Sequence, residues 1–346
     1  GTGNVALGDT ALDSVQAGAI YNVAIGNAAG TAITTGDCNV AIGRNSLKST
    51  TTSSGNVAIG MTAMCNNITG AQSVAIGNEA LFKNESGNCN VAIGFQSLKC
   101  NTVGNMTAVG SCALFTNSTG TGSTAVGYFA NKLNTTGTNN VSVGREALEA
   151  NTTASNNVAA GYRSLTANTT GSSNVAVGYH SMLTNTEGAN NVAMGVLALE
   201  MNTTGDGNTA IGREALEANQ TADNNTAVGL KALEANTTGA QSVAVGVEAL
   251  KTQTTGNNNS AFGFCAMALN ITGTANTAIG NFALKTTQNG CRNTAIGYQS
   301  MFDATSADCN VALGAYSLSN NTTADENTAI GTCSMLCNQT GAKNTA

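Results

Sequence analysis

Apolar and polar positions follow one short pattern that repeats along the whole chain. A triplet of the form Val/Thr-Ala-Ile/Val closes on a glycine, and two variable residues follow. Ala or Ser comes next, then Leu or Met, then a polar run rich in Asn, Thr and Gly. The glycine of the triplet stands at Gly8, Gly26, Gly43 and so on to Gly331. These 20 glycines are spaced by 17 residues except for one interval of 18 (8 to 26) and one of 16 (94 to 110). A fixed short period over a whole chain marks a repeat architecture in which each repeat packs chiefly on its neighbours.

Counted from that glycine as zero, position −2 is Ala in 19 of the 20 repeats, with Ser142 the exception. Position −1 is Ile, Val or Leu in 17, and +3 is Ala or Ser in all 20. Position +4 is Leu or Met in 18, the exceptions being Gly30 and Asn131. Segments such as 145–150 would pass as a helical turn, but they run for only about six residues, and an isolated helix needs about 12–15 to be even marginal. β-branched positions between Gly and Asn corners fit a strand and its turns. The pattern therefore predicts an all-β fold, a parallel β-solenoid or β-roll of about 20 coils of 17 residues. It predicts a single continuous array over 1–346 that is part of a longer chain. With strands about 4.8 Å apart, the array would span about 95 Å.

In such a stack each position forms a ladder with its equivalent in the next coil. Side chains alternate along a strand, so −3 and −1 share one face and the −2 alanine points the other way. The Ile/Val ladder at −1, Ile211 among it, and the Leu/Met ladder at +4, including Leu216, are expected to form the core. The −2 alanines and the zero-position glycines, Gly144, Gly161 and Gly178 among them, are expected to leave a nearly bare opposite face, either a narrow interior or the approach surface of a neighbouring chain. Position −3 holds 12 Val, 7 Thr and one Ser, which suits a half-exposed edge or an interface. Asn at −4 (16 of 20) and at +7 (14 of 20, including Asn151 and Asn168) reads as corner and ladder residues, because Asn tolerates left-handed backbone and stacked amides bond from coil to coil.

Composition narrows the class. The chain has 41 Gly, no Pro, no Trp and one His, and 9% of its residues are charged. A disordered chain would be poor in apolar residues, and here they make up 41%. The net charge of −6 gives no basic footprint for nucleic acid. No window approaches the 18 or so consecutive apolar residues of a membrane-spanning helix.

The run Asn-Val-Ala-Ile-Gly followed by Ala/Ser-Leu, as in residues 39–47 and 90–98, resembles the head repeats of trimeric autotransporter adhesins and the solenoid repeats of bacteriophage and viral tail fibres. The resemblance covers essentially the whole chain. It implies a left-handed β-roll, three chains packed side by side, and an extracellular, cell-surface or virion-surface location. It also implies a structural role, a fibre or adhesin shaft that presents or spaces a receptor-binding end, with a cell-surface receptor or glycan as partner. Two other readings are a polymeric extracellular filament built of single-chain solenoids and, more remotely, an ice-binding solenoid.

Chemistry-bearing residues are few. Glu214, Lys231 and Glu248 occupy +2 on consecutive coils as an alternating-charge ladder, and Glu146 and Arg163 repeat it. Glu200, Glu217 and Glu234 stack at +5 as like charges, expected to be solvated beside Arg213 or Lys251. Tyr162 and Tyr179 share +1 on adjacent repeats. Ten cysteines gather towards the two ends of the chain, and the +2/+6 placements of Cys100, Cys112, Cys333 and Cys337 make them candidate disulfide partners, against the alternative of small fillers in a reduced chain. His180 is the only histidine, so no catalytic triad forms within one chain. No enzyme activity, cofactor or metal is expected. Sequons such as Asn134, Asn151, Asn168 and Asn236 read as turn residues before glycan acceptors.

Overall fold

The computed structural model describes residues 3–346, an all-β parallel solenoid without helix and with about 17 residues per turn. Two compact units divide the chain, Gly1–Ser173 and Asn174–Ala346. The first holds ten strands of three residues each, from Val5–Leu7 to Val158–Ala160; the second holds ten more, from Val175–Val177 to Thr328–Ile330. Within each unit every strand pairs in parallel with the next, as in Val57↔Val74 and Thr209↔Thr226. The two irregular intervals leave the register intact, with Ala6 opposite Ala24 and Ala92 opposite Ala108. Register thus follows the motif, and the turns absorb the extra or missing residue.

Three residues of strand per coil leave most of the chain in corners, and the corners are left-handed. The zero-position glycines have φ between +124° and +143°. Positions +2, +4 and −5 also lie at positive φ with ordinary residues in place, as at Glu214 (+59°), Leu216 (+51°) and Asn224 (+59°). Each such residue costs roughly 1–2 kcal/mol. Hydrogen bonds between coils hold them there: Glu214 N–H donates to Val196 O at 3.0 Å, Leu216 N–H to Ala232 O at 3.0 Å, and Asn224 N–H to Asp206 O at 2.9 Å. The ladder therefore runs through the corners as well as the strands.

The interior differs from the expected one. The alanine at −2, the Ala or Ser at +3 and the Leu or Met at +4 point inward, and Ala210, Ala215 and Leu216 are wholly buried. The −1 residues point out: Ile211, expected in the core, is 39% exposed, and Val143 is 43% exposed. The inner wall of the strand takes only small side chains, Ala or, once, Ser142, and the one large apolar space per coil belongs to +4. Where +4 is Gly30, Ile33 at +7 fills that space: a Cβ on Gly30 would lie 3.0 Å from Ile33 Cδ1 and 3.1 Å from Leu12 Cδ2.

The asparagines are also inside. Those at −4 and +7 are not the left-handed residues and, apart from Asn4 and Asn338 in the end coils, are fully buried, Asn151 and Asn168 among them. At −4 the Oδ1 typically accepts the backbone N–H of its equivalent one coil on, as Asn208 from Asn225 at 2.9 Å, while Nδ2 donates to a carbonyl across the coil, here Ala222 O at 2.8 Å. At +7 the amides bond one another: Asn151 Nδ2 donates to Asn134 Oδ1 at 2.7 Å and to Ala154 O at 3.1 Å. The narrow polar half of the coil is thus filled by two amide ladders, the one at −4 satisfied but for Asn327 Nδ2. The ladder at +7 breaks where the repeat deviates. Around the short interval, Asn101 Nδ2 donates to Val103 O and Asn84 Oδ1 has no partner; at Thr287, Asn270 Oδ1 and Thr287 Oγ1 are left unpaired.

Candidate interaction faces

No pocket opens among the described residues, and the chemistry the chain presents lies on its outer faces. The strand face carries the −3 and −1 side chains, a column of Val/Thr beside a column of Ile/Val with Phe262 and Met194 at single sites. Its exposed members include Ile25, Ile76, Val126 and Val143 in the first unit and Val177, Met194, Ile211, Ile279 and Leu313 in the second. Charge is absent from both columns in all 20 repeats. Contiguous exposed apolar surface beyond a few hundred Å² marks an interaction site.

The second face is the edge formed by +1, +2 and +5, where the expected charge ladders form in altered detail. Arg163 pairs with Glu146 across one coil step at 3.3 Å, and Lys231 with Glu214 at 2.7 Å. Lys231 then turns to Glu234 of its own coil at 2.8 Å, and Glu248 instead takes Lys251 at 3.0 Å. Of the three stacked glutamates, Glu200 lies 3.6 Å from His180 Nδ1. Carboxylates of Glu214, Glu217 and Glu234 converge within 4.8 Å of one another. The Lys231 ammonium and the Arg213 guanidinium, 2.7 Å from Glu214, already supply positive charge there. Arg213 stands beside this cluster as expected, whereas Lys251 serves Glu248.

These contacts set the sign of a pH dependence. Hydrogen bonds from Lys99 and Gln96 hold Glu79 below its ordinary value, the bond from Lys231 does so for Glu214, and the bond from Lys251 for Glu248. Burial, then the neighbouring Glu214, Glu200 and Glu234, pushes Glu217 up. The three lowered carboxyls stabilise the fold above pH of about 4.5, and that contribution is lost as pH falls through their folded values. Glu217 has the opposite sign: its penalty is absent at low pH and appears as it ionises. The melting temperature is therefore expected to fall between about pH 5 and pH 3. Glu217→Gln should raise stability at neutral pH by about 0.5 kcal/mol and converge on the wild type at low pH. Thermal melts across that range check both, and a variant less stable than wild type at pH 7 would contradict the assignment.

The remaining sequence candidates are placed as follows. Gly144, Gly161 and Gly178 take the left-handed corner, and Leu216, Asn151 and Asn168 line the interior. All ten cysteines are free thiols: Cys100 and Cys112 are half-buried, Cys333 and Cys337 exposed. Tyr162 belongs to the first unit, under Arg145 at 5.8 Å, and Tyr179 to the second, where it stacks on His180 with ring centroids 3.9 Å apart. The sequon asparagines Asn134, Asn151, Asn168 and Asn236 are buried, and each Nδ2 makes two hydrogen bonds, so the atom that would carry a glycan is used by the ladder. The sequence reading missed the outward direction of −1 and the inward direction of −4 and +7. One signal of the first was present, the tolerance of Phe262 and Met194 at −1, which an interior that takes only Ala or Ser on the strand would refuse. Among the described residues no helix is long and apolar enough to cross a membrane. No protein-family model and no curated protein matches the chain.

Proposed function

We propose that this chain is a shaft segment of an extracellular fibre or adhesin, assembled as a homotrimer along its −3/−1 strand face and structural in mechanism. The observation that carries the reading is the inversion of sizes across each strand, alanine inside and Ile or Val outside, in coil after coil. Keeping that aliphatic ladder in water forfeits about 25 cal/mol for every Å² left exposed. A second copy presents the same uncharged columns at the same spacing, which is the requirement for repeated self-association. The number three, the left-handed roll and the receptor-binding end follow from the resemblance to adhesin heads and tail fibres. The interface in this reading is the Ile/Val face; the Ala/Gly surface is occupied by the chain's own interior.

Sedimentation equilibrium of the intact chain tests it. Three times the 34.4 kDa chain mass is the expected result, with the doubly substituted Ile211→Asp, Ile279→Asp chain shifted to the single-chain mass. Both side chains are outside, so the far-ultraviolet spectrum of the variant should remain that of the wild type. A wild-type chain at 34.4 kDa at tens of micromolar overturns the assembly, and an open-ended series of masses replaces the trimer with a filament.

A further inference from the structure

The +1, +2 and +5 edge carries 12 of the chain's 14 aromatic residues. Five of them gather on consecutive coils of the second unit: Phe264, Phe282, Tyr298, Phe302 and Tyr316. Phe264 and Phe282 meet edge to face at 5.2 Å, as do Tyr298 and Tyr316 at 5.4 Å, and Phe282 is 6.3 Å from Tyr298 and 6.5 Å from Phe302. Rings at right angles leave one another's faces partly open, and Tyr298 stays 43% exposed. Lys285 lies among them, its Nζ 5.1 Å from the centre of Phe282 and 5.5 Å from that of Phe302. Lys285, like Arg44, Lys48, Lys83 and Arg292, forms no ion pair with a carboxylate among the described residues, and of these five only Lys285 stands over aromatic rings.

We infer that this patch is a binding site for an acidic polysaccharide, separate from the strand face proposed for assembly. The electronegative ring faces attract the C–H faces of sugar rings, and a lysine with no carboxylate partner supplies a counter-charge for a uronate or sulfate. The exposed amide of Asn281 and the half-exposed one of Gln299 flank the rings and offer donors and acceptors to hydroxyls. The patch suits this ligand better than a peptide, because no pocket opens among the described residues to take an anchoring side chain. Phe264 and Tyr298 hold the same position two coils apart, roughly 9.6 Å at the strand spacing, a distance that a disaccharide within an extended chain spans.

Calorimetry on the intact chain with heparin, hyaluronan and alginate oligosaccharides, and with a carboxyl-reduced hyaluronan as the neutral control, tests the site. At least one acidic sugar should bind. Lys285→Gln and Tyr298→Ala should each weaken it about tenfold, Lys285→Arg should retain it, and the neutral sugar should bind as poorly to the wild type as the acidic one does to Lys285→Gln. Circular dichroism of the variants should be unchanged, because both side chains lie outside the core. Binding to none of the acidic sugars, binding indifferent to both substitutions, or equal binding of the neutral control would overturn the inference. Capture of a protein ligand through these residues with no sugar bound would overturn it as well. None of these outcomes bears on the mass of the assembly, so the two readings fail separately.

Discussion

Gly178→Ala is expected to destabilise the second unit by about 3 kcal/mol or more, or to prevent its folding. Gly178 has φ of +139°, and a Cβ built there would stand 2.3 Å from Gly195 O and 2.7 Å from Gly195 C. Those are backbone atoms of the next coil, which cannot turn aside as a side chain would. Moving that coil would break the bond from Gly195 N–H to Val177 O at 2.9 Å and carry the strain onward, because Gly195 faces Gly212 in the same way. The conformational penalty of an L-residue at this φ adds to the clash. Gly207→Asn is the control: Gly207 has φ of +67° at a −5 corner where Asn224 and Asn258 sit at +59°, and its Cβ would meet only the movable amide of Asn224, 2.7 Å from Oδ1, so it should cost no more than about 0.5 kcal/mol. Denaturant midpoints of the two variants make the comparison, since a repeat array need not unfold in one step. Equal midpoints would show that the glycine ladder is not a steric requirement.

Asn131→Leu is expected to stabilise the first unit by about 2 kcal/mol. Asn131 takes the place of Leu at +4 and is fully buried, and neither its Nδ2 nor its Oδ1 finds a partner. Its neighbours in the ladder are Leu114 and Leu148, both buried and both at the same left-handed corner, with φ of +48° and +55° against +48° for Asn131. A leucine therefore enters a conformation and a surrounding that the chain already uses for leucine. It also removes two unpaired polar atoms from an apolar row, the change for which desolvation cost is largest. The gain is reduced by the few tenths of a kcal/mol by which Asn tolerates left-handed backbone better. A rise in the denaturant midpoint is the predicted reading; an unchanged or lower midpoint would mean that the amide is satisfied, as by a buried water.

Legibility in the sequence follows the range of each cause. The strand triplets, their parallel pairing and the tolerance of an 18- and a 16-residue interval all come from a motif that stacks on its own copies, and a repeat period is a property of the chain alone. Burial of Leu216 and the amide ladders through Asn151 and Asn168 were readable for the same reason: identical residues at identical spacing meet whenever the coils stack. The aromatic patch with Lys285 lay scattered over positions +1, +2 and +5 of several repeats, and only the corner geometry brings those side chains together.

Which side of the strand is inside was decided by the tertiary structure. Alternation states that −3 and −1 oppose −2 and leaves open which set faces in. Hydrophobicity favours Ile211 over Ala210 for the interior, and the structure buries Ala210 and turns Ile211 out. The path of the backbone made the choice. It turns at left-handed corners at +2, +4 and −5, occupied by residues as ordinary as Glu214, Leu216 and Asn224, whose conformation is held by hydrogen bonds to neighbouring coils. The chain by itself determined the period, the register and the ladders. The path of the backbone through its left-handed corners determined the direction of each side chain, and with it an apolar face on the outside of the coil.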